Sequence, residues 1–139
     1  ILHDRAAAPH QKLQDLIRNK LIEQKRVLDY SMFRDLSGQE TDLEDLFPPD
    51  LYVEAFNETY ANELGSSRAR LAELPEHPRI VERLNRWLET SGFTLLKDGG
   101  FNHYRVARTL VQMLTADRVS EELVDRFDRL FERLRVALA

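Results

Sequence analysis

The chain has 139 residues, 42% hydrophobic and 32% charged, with a formal net charge of -4; this is the size of one ordinary domain, or of a partial domain joined to a small one. It contains no cysteine, which excludes a disulfide framework, thiolate metal sites and a cysteine nucleophile. The negative balance excludes a surface that binds nucleic acid everywhere by counterion release and leaves room only for a local basic stripe.

No apolar run approaches the roughly 18 residues needed to span a bilayer, and the start does not read as a signal peptide. The expected location is therefore cytoplasmic, with no membrane partner. The chain opens on Ile1-Leu2-His3-Asp4 without an initiator methionine. An apolar pair followed at once by an acid reads as the end of a strand whose sheet partners lie elsewhere. The expectation is a soluble, mostly α-helical fragment of a larger intracellular protein.

Pro9 suits a first helical turn, and Leu13, Leu16, Ile17 and Leu21 recur at helical spacing. Arg26-Val27-Leu28-Asp29-Tyr30 reads as a short strand. Strand, helix and strand in this order predict a βαβ unit, which cannot stand as a domain because its edges are unpaired. A polar connection follows and ends at Pro48-Pro49, which breaks any preceding helix. Asp50 is then expected to cap a helix carrying Leu51, Tyr52, Ala55, Phe56 and Tyr60 and stopping at Gly65.

Pro78 opens the next predicted helix, with Ile80, Val81, Leu84, Trp87 and Leu88 as its apolar stripe and Gly92 as its stop. Phe93-Thr94-Leu95-Leu96 reads as a brief extended piece before a glycine turn. Asn102 is expected to cap a helix holding Tyr104, Ala107, Leu110, Val111 and Leu114. Ser120, with Glu121 and Glu122 in the first turn, opens the last helix. Val124, Phe127, Leu130, Phe131 and Leu134 are read as its buried face, and Glu122–Arg126 and Asp125–Arg129 as favourable pairs four apart. From Asp50 onward the pattern is a bundle of about four helices.

Few residues stand out as chemistry. Glu40, Asp42, Glu44 and Asp45 form an acidic knot on a connection. Paired carboxylates suit magnesium or manganese; the same acids also suit a plain role capping the turn from Leu43 to Phe47. Asp4 is a second candidate, because α/β proteins place sites at the carboxyl edge of a parallel sheet. No histidine pair has zinc-protease spacing, and no nucleophile elbow or phosphate loop is legible. His103, at a helix start, is suited to donate to a phosphate or to pack locally. Arg79, Arg83 and Arg86 form a basic stripe beside Trp87, read either as a nucleic-acid face or as a solvated face paired with Glu82 and Glu89. The order helix, short strand, glycine turn and helix suggests a winged-helix reader, but without the dense basic recognition helix that such a reader needs.

Three stretches carry a resemblance: Leu43-Glu44-Asp45-Leu46-Phe47-Pro48-Pro49-Asp50-Leu51-Tyr52, then Phe56-Asn57-Glu58-Thr59-Tyr60, then Gly100-Phe101-Asn102-His103-Tyr104-Arg105-Val106-Ala107. Together they resemble the carboxyl-terminal end of AAA-type ATPases that carry a TOPRIM nuclease domain, the overcoming-lysogenization-defect (OLD) family. The resemblance runs through nearly the whole chain in order. It implies that residues 1–46 are the end of a TOPRIM-like α/β segment and residues 47–139 a helical carboxyl-terminal domain. It implies Mg2+ or Mn2+ held with the help of Asp4, Glu44 and Asp45, and His103 or Arg105 near the scissile phosphate. The Asp-x-Asp of such nucleases is kept here only at Asp4, with Ala6 where the second aspartate would stand. ATP would be bound by an upstream domain, DNA and a homo-oligomer would be the partners, and anti-phage defence the setting. The expected fold is thus mainly α with a short α/β piece, and the expected function that of the tail of an ATPase-coupled endonuclease. The alternative is a non-catalytic helical module for protein interaction or dimerisation.

Overall fold

The computed structural model describes residues 1–8, 10–34 and 38–139; the expected first-turn role of Pro9 lies outside them. The protein is mainly helical with one small parallel sheet. In chain order the regular elements are β1 (Leu2–His3), α1 (Gln11–Arg18), β2 (Leu28–Asp29), α2 (Pro49–Thr59), α3 (Ala61–Leu64), α4 (Ile80–Ser91), α5 (His103–Met113) and α6 (Glu121–Leu138). Short 3-10 turns lie at Gln24–Arg26, Tyr30–Phe33, Leu43–Leu46 and Leu71–Glu73. Among the described residues, no helix is long and apolar enough to cross a membrane.

The chain divides into two compact units, one made of Ile1–Leu46 with Glu121–Ala139 and the other of Phe47–Ser120. In the first, β1 and β2 pair in parallel, Leu2 opposite Leu28 and His3 opposite Asp29, with α1 as the connecting helix. α1 is shorter than its apolar spacing suggests: Leu21 lies beyond it and is 73% exposed. Past β1 the chain forms an antiparallel bridge, Arg5 N–H donating to Thr41 O at 2.8 Å and Thr41 N–H to Arg5 O at 2.9 Å. A small core gathers Phe33, Leu46 and Leu130, with Leu2, Tyr30, Phe127 and Leu134 packed around it.

This core corrects two expectations. The last helix belongs with the amino-terminal segment rather than with the helices of residues 47–120. Arg126 ties it there by donating to Leu46 O at 2.6 Å while pairing with Glu122 at 2.6 Å. Its inward face is also rotated from the expected one. Leu123 and Leu130 are buried with Phe127 and Leu134 partly so, whereas Val124 and Phe131 are 44% and 61% exposed. Both sets satisfy helical spacing, so periodicity alone cannot choose between them.

In the second unit, α2 starts one residue before Asp50, with Pro49 at its first position and Pro48 at the cap, because proline needs no N–H donor there. Its Leu51, Tyr52, Ala55 and Phe56 are buried together with Val53 and Asn57, so it is enclosed on most sides. Phe56 stacks edge-on against Phe101 at 5.0 Å and Trp87 at 6.3 Å, geometry that adds about 0.5–1.5 kcal/mol per pair beyond area burial. α4 buries Ile80, Val81, Leu84 and Leu88 and ends at Gly92, whose φ of 75° is the left-handed cap that glycine adopts without strain. Its start is Ile80 with Arg79 as cap, two residues later than Pro78 suggests.

The segment after α4 makes no strand: Phe93 and Thr94 are irregular and Leu95 and Leu96 lie in a bend. A winged-helix arrangement thus lacks its wing. α5 is capped by Asn102, whose side chain accepts from Arg105 N–H at 3.1 Å. It buries Val106 and Leu110, while Tyr104 and Val111, expected inside, are each 70% exposed.

Asn57 joins α2 to the loop before Leu71–Glu73, donating to Ala69 O at 2.8 Å and accepting from Ala69 N–H at 2.9 Å. Asn57→Ala leaves both buried backbone groups unpaired and should cost about 1–3 kcal/mol. Leu84→Ala, at a site with no exposed surface, should cost about 2–5 kcal/mol. Urea unfolding of the two variants checks both values and their order.

Candidate functional site

Because β1 and β2 run parallel, their carboxyl ends lie side by side, and the residues that leave them meet: Asp4 and Arg5 after β1, Asp29 and Tyr30 at the end of β2. The Arg5–Thr41 bridge brings a third segment to the same edge. It leads directly into the Leu43–Leu46 turn and therefore into Glu44.

Tyr30 follows β2 at this edge. Its phenol pKa is raised from 10.0, first by partial burial and then by the negative charges of Asp4 and Glu44. Two acids far apart in sequence thus act on one hydroxyl group. Asp4 is exposed and Glu44 half-buried.

The other acids of the edge are tied into the fold. Asp29, 6% exposed, accepts from Ser31 N–H at 3.0 Å, from the Ser31 hydroxyl, and from Arg5 Nη1 at 3.1 Å. Asp45 is buried; its carboxylate accepts from Asp42 N–H at 2.8 Å and stands 4.0 Å from Arg34. This is the turn-capping role open to it from the sequence. A cavity of about 280 Å³ opens at the sheet edge, and its lining includes His3, Asp4, Arg5, His10 and Asp29. Ala6 also lines it.

Asp29 was not singled out from the sequence, although the rule that selected Asp4, an acid at the carboxyl end of a parallel strand, applies to it equally. Within the expected strand Arg26–Tyr30, Asp29 is an interior residue, and only the shorter β2 makes it a strand end.

The donor set fits a hard divalent cation in part. Magnesium takes one or two protein carboxylates and completes its octahedron with water and phosphate oxygens, which Asp4 and Glu44 are chemically suited to supply. Among the described residues, no group of three or more histidines and acids is arranged to hold a metal ion.

His103 and Arg105 belong to the other unit. The His103 ring lies 4.8 Å from that of Phe101. The Arg105 guanidinium sits 4.6 Å over the Tyr60 ring, pairs with Glu63 at 3.2 Å and donates to Thr59 O at 3.2 Å. The basic stripe on α4 is likewise engaged. Arg83 donates to the carbonyls of Leu71 and Pro75 at 3.0 Å each, and Arg86 pairs with Glu82 at 3.3 Å. The solvated, paired reading of that stripe describes Arg86, while Arg83 is a structural tie.

Compared with known proteins, the chain matches no family model, no curated protein and no solved structure.

Asp4→Asn and Glu44→Gln should each lower the Tyr30 phenol pKa toward 10.0, since each removes a charge that disfavours the phenolate. Tyrosine-selective NMR across an alkaline titration reads this directly. In the unchanged chain, the raised phenol binds its proton more tightly folded than unfolded. Its contribution is therefore constant below pH 10.0 and lost as pH rises past that value.

Proposed function

We propose that this chain is the carboxyl-terminal part of an ATPase-coupled, divalent-metal-dependent DNA endonuclease similar to the OLD family, working in anti-phage defence. The observation that supports it best is the carboxyl edge of the parallel βαβ unit, where Asp4 leaves β1 and the Arg5–Thr41 bridge leads into the turn that carries Glu44. The two acids come from the separate stretches that the resemblance assigns to metal binding.

In this reading Asp4 and Glu44 hold Mg2+ or Mn2+ together with acids from the part of the enzyme that precedes this chain. The metal, when bound, supplies an activated water and stabilises the leaving oxygen of the phosphodiester. Arg5, anchored on Asp29, keeps positive charge beside the cavity and orients a phosphate against the two carboxylates. Asp45 positions Glu44 by holding the turn that carries it. His103 and Arg105 keep phosphate-facing roles only through the resemblance, and Arg105 already has Glu63 and the Thr59 carbonyl as partners. ATP binding, DNA binding and homo-oligomer formation belong to the complete enzyme.

A non-catalytic helical interaction module is the second reading, favoured by the exposed Tyr104 and Val111 on α5. The two separate on one substitution. In the complete enzyme, Glu44→Ala should lower Mg2+- or Mn2+-dependent DNA nicking by roughly 100-fold or more, beyond the loss typical of a residue that only supports a ligand. Nicking at the unchanged rate would remove Glu44 from the site. Titrating Mg2+ or Mn2+ into this chain should shift the NMR signals of Asp4 and Glu44 together, whereas an interaction module would show no localised response.

A further inference from the structure

α1 has an apolar stripe, yet it buries none of its residues. Its Leu13 and Ile17, both half-buried, line the cavity at the sheet edge. The helix thus turns apolar side chains to an open space, where a packed core is the rule. Gln14 and Gln24 line the same cavity. Among the described residues neither of their side-chain amides has a hydrogen-bond partner, whereas the neighbouring Gln11 amide is engaged by Asp15 at 3.1 Å. A carboxamide offers a donor and an acceptor side by side, the pattern that pairs with the edge of a nucleobase. Apolar side chains beside it suit the faces of a flat ring.

The charges of the lining decide what can enter unaided. Arg5 and the buried Asp29 are an ion pair at 3.1 Å, which leaves the negative charge of Asp4 in excess when the lining histidines are neutral. A phosphate without a metal is therefore repelled, and a neutral ring is not. The volume of about 280 Å³ lies just under the roughly 300–1,000 Å³ of sites for drug-sized ligands. It suits one ring system and cannot admit a base still paired in a duplex.

We propose that this cavity takes the base of one unpaired nucleotide of a DNA strand. Gln14 and Gln24 hydrogen-bond its edge, Leu13 and Ile17 pack on its faces, and its phosphate is left for the metal of Asp4 and Glu44. The choice of DNA rests on the nuclease reading. It narrows the substrate to a strand end or an opened strand, because a base must leave the stack to enter a pocket.

The test is NMR of the whole chain titrated with the four deoxynucleosides in EDTA, at about pH 8, where histidine is ordinarily neutral. At least one nucleoside should shift the side-chain amide signals of Gln14 and Gln24 together with Leu13 and Ile17. Gln14→Leu combined with Gln24→Leu should weaken that binding by roughly 10-fold or more, the loss expected for a bidentate base contact. Both positions are exposed, so circular dichroism should not change. No shift of these signals up to the solubility limit, or equal binding by the double variant, would overturn the base site. In EDTA the nucleoside should bind more tightly than its 5′-monophosphate, and excess Mg2+ should reverse the order. Tighter monophosphate binding without metal would overturn the assignment of the cavity to the base. If nucleosides bind and Mg2+ leaves the order unchanged, the base site stands and the metal reading falls. A single-stranded oligonucleotide in Mg2+ should displace the nucleoside and its blunt duplex should not; displacement by neither would overturn the assignment to DNA.

Discussion

The reciprocal backbone pairing of Arg5 with Thr41 is the constraint on which the first unit depends. Two parallel strands of two residues each bury too little to persist alone, and both have open edges. The bridge past β1 takes up one of them and draws the Leu43–Leu46 turn to the carboxyl end of the sheet. That turn places Leu46, which has no exposed surface, against Phe33 and Leu130. Arg126 then satisfies the Leu46 carbonyl from α6. Backbone pairing, a buried leucine and an arginine cap thus close one small unit from segments at the two ends of the chain.

The second unit rests on different physics. α2 is enclosed on most sides, and Phe56, Tyr60 and Phe101 supply an aromatic core in edge-on contact. The Tyr60 hydroxyl accepts from Asn102 N–H at 2.8 Å, so the aromatic core also sets where α5 begins. Arginines act here as internal ties: Arg83 satisfies loop carbonyls, Arg105 covers the Tyr60 face, and Arg118 pairs with both carboxylate oxygens of Glu54. A guanidinium serves this purpose well because its fork of donors reaches several acceptors at once. The number of arginines in a sequence is for this reason a poor measure of free positive surface.

The acids divide in the same way. Asp29 and Asp45 are buried and hydrogen-bonded, while Asp4 is exposed and Glu44 half-buried. A buried carboxylate with several donors is held for structure, whereas α/β proteins place their ligand sites at the carboxyl edge of a parallel sheet. The proposed metal chemistry rests on this second pair, with the first pair holding the backbone that presents it. The acidic knot seen in the sequence therefore contains both kinds, with neighbours Glu44 and Asp45 in different roles.

The sequence by itself determined the local elements: strand, helix and strand at the start, the break at Pro48-Pro49, the α4 stripe with its Gly92 stop, and the Asn102 cap. Each is set by interactions within a few residues, through proline and glycine dihedrals, side-chain caps and apolar period. Only the tertiary structure decided which apolar face of α5 and α6 turns inward, that α6 joins the amino-terminal segment, and that Phe93–Leu96 forms no strand. It alone separated Asp45 from Glu44 and committed Arg83 and Arg105 to carbonyls and rings. Those outcomes depend on partners dozens of residues away, and competing faces of one helix have nearly the same spacing until a partner surface selects between them.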